Sequence, residues 1–450
     1  MNQPRRRRLP QQPLEAEVSA LSHEGRGIAH VEGKITFVRG ALAGERVRLR
    51  YTKRHRQWDE GKLLEVLRPA PERVEPGCIH FGVCGGCALQ HLTPQQQLTF
   101  KETVVREKLR HMGGVEPSTW LAPLGSPAWG YRRKARLAVK YVAGKDDRVL
   151  VGFRETHSTL VADLASCRVL DPRIGAHIPQ LAETIRCLSI FDRVPQIEVA
   201  AGDQAVGLVF RNLAPFTVED YRLLSAFARQ YDFYVYEQPG DKASVRPIWP
   251  RAPQLSYALP DHAVSVFFEP TDFTQVNPAV NHALVERAIA LLALQPQDRV
   301  LDLYCGLGNF AFCIARQVAS VVGLEGDDAL VERARENAAR NAITNVVFQR
   351  ADLSRGIAEL AHLQRDGVSR VLLDPPRSGA AEVLADIAAL RAERIVYVSC
   401  GPSTLARDAG RLVHEYGYRL AAAGVMDMFP HTAHVECITL FVRDQAGDVP

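Results

Sequence analysis

The chain of 450 residues contains no run approaching the ~18 consecutive apolar residues that a membrane span needs. Its amino terminus carries no apolar segment of the secretory kind, so a cytoplasmic protein is expected. The composition of a disordered chain is also missing. At 46% hydrophobic and 24% charged residues, a chain this long can bury cores for about three domains of roughly 150 residues. Strong charge of one sign is absent: the formal net charge is +4, so attraction to an acidic partner must come from local patches. Nine cysteines in a reducing compartment argue against a disulfide framework and for metal binding or catalysis.

Local positive patches do exist. Arg5 to Arg8 is an unbroken basic run. Arg46, Arg48, Arg50, Lys53, Arg54 and Arg56 follow with no acidic residue between them, near Tyr51 and Trp58. Arg132, Arg133, Lys134, Arg136 and Lys140 form a third cluster, flanked by Tyr131 and Tyr141. A charge run alone is usually a solvated face, but basic clusters interleaved with aromatics suit a phosphate backbone and its bases.

Taken in order, residues 1–13 read as a basic tail. Residues 14–71 alternate as short strands, punctuated by Gly25, Gly27, Gly33, Gly40 and Gly44, which predicts a small closed barrel. Ser22-His-Glu-Gly-Arg-Gly-Ile-Ala and Gly44-Glu-Arg-Val-Arg resemble a TRAM domain, and that resemblance implies an OB-like barrel that binds RNA. After prolines 69, 71 and 76 comes Cys78-Ile-His-Phe-Gly-Val-Cys-Gly-Gly-Cys87. Two thiolates separated by two residues can face one ion, and glycines let the backbone wrap it. Cys167 is the best fourth ligand, because Cys187 lies in an apolar helical pattern and reads as core. Four thiolates suit zinc or a four-iron cluster, and spacing alone favours zinc slightly.

Leu92 to Met112 reads as a helix capped by Thr93, with Pro94 in its first turn. Between Tyr131 and about Pro260 the pattern is mixed α and β with no catalytic constellation, which suggests a substrate-shaping domain. The expected organisation is a central α+β domain of residues 72–92 and 119–264 that holds the cysteine site, and a catalytic domain of residues 93–118 and 265–450.

The last part is a regular alternation. Near-continuous apolar strands at Arg299, Ser320, Asn345, Arg370 and Arg394 are separated by helices, which demands a parallel sheet covered on both faces: a doubly wound, Rossmann-like α/β domain. Its first strand runs into Asp302-Leu-Tyr-Cys-Gly-Leu-Gly-Asn-Phe310, where Gly306 and Gly308 permit close approach of a nucleoside. Glu325, about twenty residues on, suits ribose hydroxyls. The incomplete dinucleotide fingerprint, with Asn309 at the helix start, favours S-adenosylmethionine over NAD. Asp374-Pro-Pro-Arg377 is a rigid exit from the fourth strand.

Cys400, in Ser399-Cys-Gly-Pro402, ends the next strand. A lone cysteine there is most often a buried small hydrophobe. Beside Asp374 and a methyl-donor loop it becomes a candidate nucleophile. C5 of uracil cannot take a methyl group unaided, but a thiolate adding at C6 turns the ring into an enolate that can. A base must then remove the C5 proton, and Glu436 is the strongest candidate, with His431 and His434 as rivals. The helix after Cys400 is expected to lower the thiol pKa.

Together, Asp302-x-x-Cys-Gly-x-Gly-Asn-Phe, Asp374-Pro-Pro-Arg, Ser399-Cys-Gly-Pro, the Met426-Asp-Met-Phe-Pro-His-Thr-x-His-Val-Glu segment and C-x5-C-G-G-C are similar to the bacterial RNA (uracil-5-)-methyltransferases, in the type that modifies 23S ribosomal RNA. The resemblance spans almost the whole chain. It implies a class I S-adenosylmethionine-dependent enzyme with a [4Fe-4S] cluster on Cys78, Cys84, Cys87 and Cys167, Cys400 as nucleophile and Glu436 as base. It also implies methyl-donor contacts from Gln275, Tyr304, Asn309, Glu325, Asp352 and Asp374. Two positions depart from it: Gly401 stands where the family usually has asparagine, and Asp352 where related enzymes can carry asparagine. No protein partner is indicated, and a monomer is expected. The same reaction on another ribosomal RNA or a transfer RNA is the alternative. A radical methylthiotransferase would need a C-x3-C-x2-C triad that is absent. A non-catalytic RNA binder would not need Cys400, Asp374 and Glu436.

Overall fold

The computed structural model describes residues 12–144, 147–357, 363 and 367–443. The basic run Arg5 to Arg8 lies outside them. The chain forms two compact units. The smaller holds the chain through Phe100 with Glu155–Thr159 and His431–His434; the larger holds Lys101–Arg154, Leu160–Pro430 and the chain from Val435. Among the described residues no helix is long and apolar enough to cross a membrane.

In the smaller unit, strands Leu14–Leu21, Arg26–Val31, Lys34–Arg39, Arg46–Arg54 and Trp58–Arg68 close into a barrel. Alternation puts Val18, Ala29, Val38, Val47 and Leu49 inside. Gly27 and Gly61 are small by necessity, since a Cβ there would meet Val18 and Leu49 at 2.8 Å. Glu45, from the TRAM-like motif, is fully buried and accepts from the Leu42 amide at 2.8 Å and Arg73 Nε at 2.5 Å, tying the barrel to the proline linker. The basic cluster of the barrel is partly spent on such pairing. Arg46 and Arg48 bond Glu15 and Glu65, and Arg54 pairs with Asp59, all partners brought in from other strands. Arg50, Lys53 and Arg56 stay exposed.

The larger unit contains two main sheets. One has six strands, with Lys134–Val142 and Gln196–Ala201 paired antiparallel at its centre. Here the third basic cluster is also engaged: Arg133 pairs with Asp203, Arg136 bonds Glu198 at 2.8 Å, and the Lys134 ammonium bonds the Pro270 carbonyl. Cys187, expected in the core, is exposed instead. It caps the end of helix Ile178–Arg186 with its thiol facing Glu183, off the buried stripe of Ile178, Leu181, Ile185 and Leu188.

The other sheet has eight strands in the order Val346–Arg350, Ser320–Glu325, Arg299–Leu303, Arg370–Leu373, Arg394–Ser399, Glu436–Arg443, Tyr418–Met426, Thr119–Trp120. The first five run parallel; the inner ones read as apolar because both faces are covered, while the edge strand Val346–Arg350 exposes Val347 and Arg350; Glu436–Arg443 enters antiparallel. Strand order reverses between Arg299–Leu303 and Arg370–Leu373, the switch point outside whose carboxyl ends ligands bind in such sheets. Helix Pro278–Leu292 starts on Asn277, whose side chain accepts from the Val280 amide, with Pro278 filling a first-turn position that needs no donor. Helix Pro94–Lys108 forms as its proline and Thr93 predict, the Thr93 hydroxyl accepting from the Gln96 amide at 3.2 Å.

Candidate active site

Everything proposed for chemistry gathers at the carboxyl edge of the eight-stranded sheet. Ser399 lies directly opposite Cys437 in antiparallel register, so Cys400 and Glu436 follow at facing positions. The next pair along, Met426 with Glu436, brings Asp427 to the same edge. On the other side, Leu373 pairs with Tyr397 and with Leu303, which puts Asp374 and Tyr304 next to each other at the ends of their strands.

The nucleophile's turn is tightly bonded. The Gly401 amide donates to Ser399 Oγ at 3.1 Å, and Thr404 Oγ1 donates to the carbonyls of Gly401 at 2.9 Å and Arg377 at 3.1 Å. Gly401 has φ of −133°, open to any residue, but a Cβ there would meet Thr404 Oγ1 at 2.7 Å. Absence of a side chain therefore makes room for Thr404 and does not loosen the turn. Asp408, fully buried, accepts from Tyr397 Oη at 2.8 Å and the Ala380 amide at 2.9 Å, linking the nucleophile's strand to the segment after Asp374.

Electrostatics overturn one expectation. The Cys400 thiol is pushed up to about 11, first by burial and then by the negative charges of Glu436 and Asp374, with Arg377 opposing. Whatever the first turn of helix Pro402–His414 supplies is outweighed by that burial and those two carboxylates. Burial, then Asp374, raises Glu436 to about 8, while Arg377 and Lys101 pull it down. Burial alone raises Asp374 to about 7. The fully buried Asp302 carboxyl rises well above its ordinary range, by burial first and then Asp374. Burial thus disfavours the charged form of each of these four acids.

The loop above these groups is shaped for a nucleoside. Tyr304 sits at φ +63°, uncommon for a bulky residue, and its neighbour Cys305 is fixed by an amide bond to the Leu324 carbonyl at 3.1 Å. A Cβ on Gly306 would point into open space, whereas on Gly308 it would strike the Phe312 ring at 2.6 Å. Glu325 is oriented by three amides, Gly306 at 3.0 Å on one oxygen and Gly326 at 2.8 Å and Asp327 at 3.1 Å on the other. A carboxylate has about four acceptor positions, so one remains for a ligand hydroxyl. Gln275 Nε2 donates to Asp374 Oδ2 at 3.3 Å. Asn309 Oδ1 accepts from Tyr257 Oη and Asn281 Nδ2, both at 3.0 Å, and its Nδ2 returns a bond to Asn281 at 2.9 Å. Asn281 and Tyr257 went unrecognised in the sequence, since nothing local links them to Asn309. Asp352 stands apart from the buried groups: it is exposed, and its carboxylate caps its own turn through Ser354.

His431 and His434 belong to the smaller unit. The His431 ring faces Gln97 at 3.2 Å, its amide donates to Gln97, and its carbonyl accepts from the Ala88 and Leu89 amides, a structural use. Cys78, Cys84 and Cys87 are half-buried on tight turns, with the Cys84 amide on the His80 carbonyl at 2.9 Å and the Gly86 amide donating to Cys84 Sγ at 3.4 Å. The Cys167 amide bonds the Gly175 carbonyl at 2.8 Å, and a Cβ on Gly175 would meet the Cys167 carbonyl at 2.3 Å. Among the described residues no three His, Cys, Asp or Glu side chains form a group arranged to hold a metal ion.

Comparison with known proteins agrees with this picture. The family model for tRNA (Uracil-5-)-methyltransferase matches residues 259–444, and that for the TRAM domain residues 7–64. The chain is 58% identical, over 98% of its length and 99% of the relative, to 23S rRNA (uracil(1939)-C(5))-methyltransferase RlmD of Alkalilimnicola ehrlichii. It is 54% identical, over 97% and 98%, to the protein of that name from Nitrosococcus oceani. The crystal structure of Pyrococcus abyssi tRNA (uracil-54, C5)-methyltransferase with S-adenosyl-L-homocysteine superposes with a TM-score of 0.72 at 25% identity, covering 95% of this chain and all of that one.

Proposed function

This chain belongs to the S-adenosylmethionine-dependent RNA (uracil-5-)-methyltransferases, and we propose that it methylates C5 of the uridine equivalent to uracil 1939 of 23S ribosomal RNA. The observation that carries the reading is the facing of Cys400 and Glu436 at the carboxyl edge, next to Asp374.

The methyl donor supplies an electrophilic methyl group on a sulfonium. Glu325, with one acceptor position left, suits its ribose, and Tyr304, Asn309, Gln275, Asp352 and Asp374 are assigned to the rest of it. In its thiolate form, the thiol proton having gone to solvent, Cys400 Sγ gives its electron pair to C6 of the uracil; the C5–C6 π pair shifts to C4–C5 and the C4 carbonyl π pair onto oxygen, forming an enolate. C5 then takes the methyl group, and the pair of the broken bond stays on the donor sulfur. Glu436 removes the C5 proton; that pair restores the C5–C6 double bond and expels Cys400 as thiolate. The uridine has to leave its stack to reach the thiol. The exposed Arg50, Lys53 and Arg56 of the barrel, with the His55 ring stacked on Trp58 at 3.7 Å, are suited to phosphates and bases around it.

For Cys78, Cys84, Cys87 and Cys167 we infer a [4Fe-4S] cluster. Four thiolates match its donor chemistry, and the amide on Cys84 Sγ is the kind of bond that stabilises a thiolate ligand. Anaerobically purified protein should absorb in the visible and lose that band on Cys167→Ser. A colourless protein with stoichiometric zinc overturns the cluster.

RNA containing 5-fluorouridine tests the main reading, because fluorine cannot leave as a proton. A covalent protein–RNA adduct is expected, absent in Cys400→Ser. An enzyme that methylates yet forms no adduct refutes the thiol route. Mapping 5-methyluridine in cells with and without the protein separates the ribosomal site from a transfer-RNA one.

A further inference from the structure

Lys101 is a lysine with no exposed surface. It projects from helix Pro94–Lys108, far from the catalytic motifs in sequence, and its Nζ donates to Asp427 Oδ1 at 2.5 Å and to the Phe429 carbonyl at 3.0 Å. Asp427 directly follows Met426, the residue opposite Glu436 in the strand pair, and its own amide is held by the Leu124 carbonyl at 2.8 Å. An ammonium has therefore been built into the protein interior at the end of strand Tyr418–Met426, the neighbour paired with the strand that carries Glu436. A buried ion pair is weak evidence for stability, since desolvating two charges offsets their attraction, so its retention at this place asks for another reason.

We propose that Lys101 is a positioning residue for proton abstraction, its ammonium fixed by Asp427 so that a positive charge stands behind the Glu436 carboxylate during that step. The idea rests on the assignment of Glu436 as base. Groups facing Glu436 come from every element around it: Asp374 and Arg377 after strand Arg370–Leu373, Cys400 after Arg394–Ser399, Cys437 on its own strand, and Lys101 from the helix. Asp374, Cys400 and Cys437 each disfavour a second negative charge when ionised. Among the described residues, Arg377 and Lys101 are the cations that favour it, and Arg377 is exposed whereas Lys101 is not. Water and salt weaken the contribution of Arg377 and leave that of Lys101 intact. The attraction is reciprocal: burial lowers the Lys101 pKa, and the charges of Asp427 and Glu436 oppose that shift.

The experiment separates the chemical steps. Adduct formation with 5-fluorouridine RNA needs Cys400 and the methyl donor but no C5 proton removal. Turnover on uridine needs both. In the double variant Lys101→Met, Asp427→Asn, which removes the pair without stranding one charge, adduct formation should stay within about twofold of the wild type. Turnover should fall roughly 10- to 100-fold, less than the ~100- to 10,000-fold that a general base contributes as a whole, and its acidic limb should move to higher pH. Lys101→Arg, which keeps the charge, should return the limb to its wild-type position. If adduct formation and turnover fall together, or the limb stays in place, Lys101 is only structural and the inference fails. If the double variant does not fold, Lys101→Arg alone decides, since a shifted limb with the charge retained also overturns it. Glu436→Gln is run beside these. Full turnover in that variant removes the base assignment itself, an outcome distinct from failure of Lys101 alone.

Discussion

Ser399 and Cys437 face each other across an antiparallel strand pair, and one residue further on each strand stand a thiol and a carboxyl, Cys400 and Glu436. The two reactive groups of a two-step reaction are thus locked together by backbone hydrogen bonds, the least adjustable part of the fold. Glu436→Gln should leave addition intact and block release, so that a covalent adduct accumulates even on ordinary uridine RNA. Denaturing gel electrophoresis reads it, and a variant that turns over without adduct contradicts the assignment.

Activity should rise with pH through about 8, where Glu436 loses its proton, and keep rising toward about 11 as the Cys400 thiol ionises. Single-turnover rates between pH 6 and 10 check this. A plateau already reached at pH 6 would mean both groups are ionised far below these values.

Stability should run the other way. Glu436 and Asp374 have folded values of about 8 and about 7, above their ordinary 4.5 and 3.8, so the folded state holds more protons than the unfolded one in between. Their stabilising contribution is full below about pH 4 and is lost progressively as pH rises to 8. Urea unfolding at pH 5 and pH 8.5 should show the loss, and Glu436→Gln should reduce it.

Gly401→Ala should force Thr404 to turn away and give up its bonds to the carbonyls of Gly401 and Arg377, a cost of about 1 kcal/mol. Thr404→Ala should cost about the same, and the double variant no more than either alone. Full additivity in denaturant unfolding would show that the two positions are independent.

Asp408→Ala strands the Tyr397 hydroxyl and the Ala380 amide in the interior, which should cost about 2–4 kcal/mol. The methyl-donor affinity should fall as well, because the segment after Asp374 loses its anchor; calorimetric titration with S-adenosyl-L-homocysteine measures it.

What the sequence makes legible is what short-range pattern controls. The apolar strands at Arg299, Ser320, Arg370 and Arg394 announce themselves because burial on both faces removes any polar alternation, and residues at their carboxyl ends fall at one edge by topology. Glu436 could be named as a candidate, but its facing of Cys400 depends on an antiparallel register that no spacing reveals. The pairing of Arg46 and Arg48 with Glu15 and Glu65 was invisible for the same reason, as was the Asn281–Asn309 amide pair. The thiol environment was misjudged because burial and three charged neighbours from separate segments, Glu436, Asp374 and Arg377, outweigh the local signal of a helix start.

The bond between Lys101 and Asp427 spans 326 residues of chain. At a synthesis rate of roughly 5–20 residues per second, Lys101 leaves the ribosome some tens of seconds before its counterion exists. During that interval the helix Pro94–Lys108 must keep its ammonium in water, so it cannot dock until the segment of Asp427 has been made. The segment that follows at once carries Glu436, so a nascent chain holds no competent methyltransferase until that strand has been delivered.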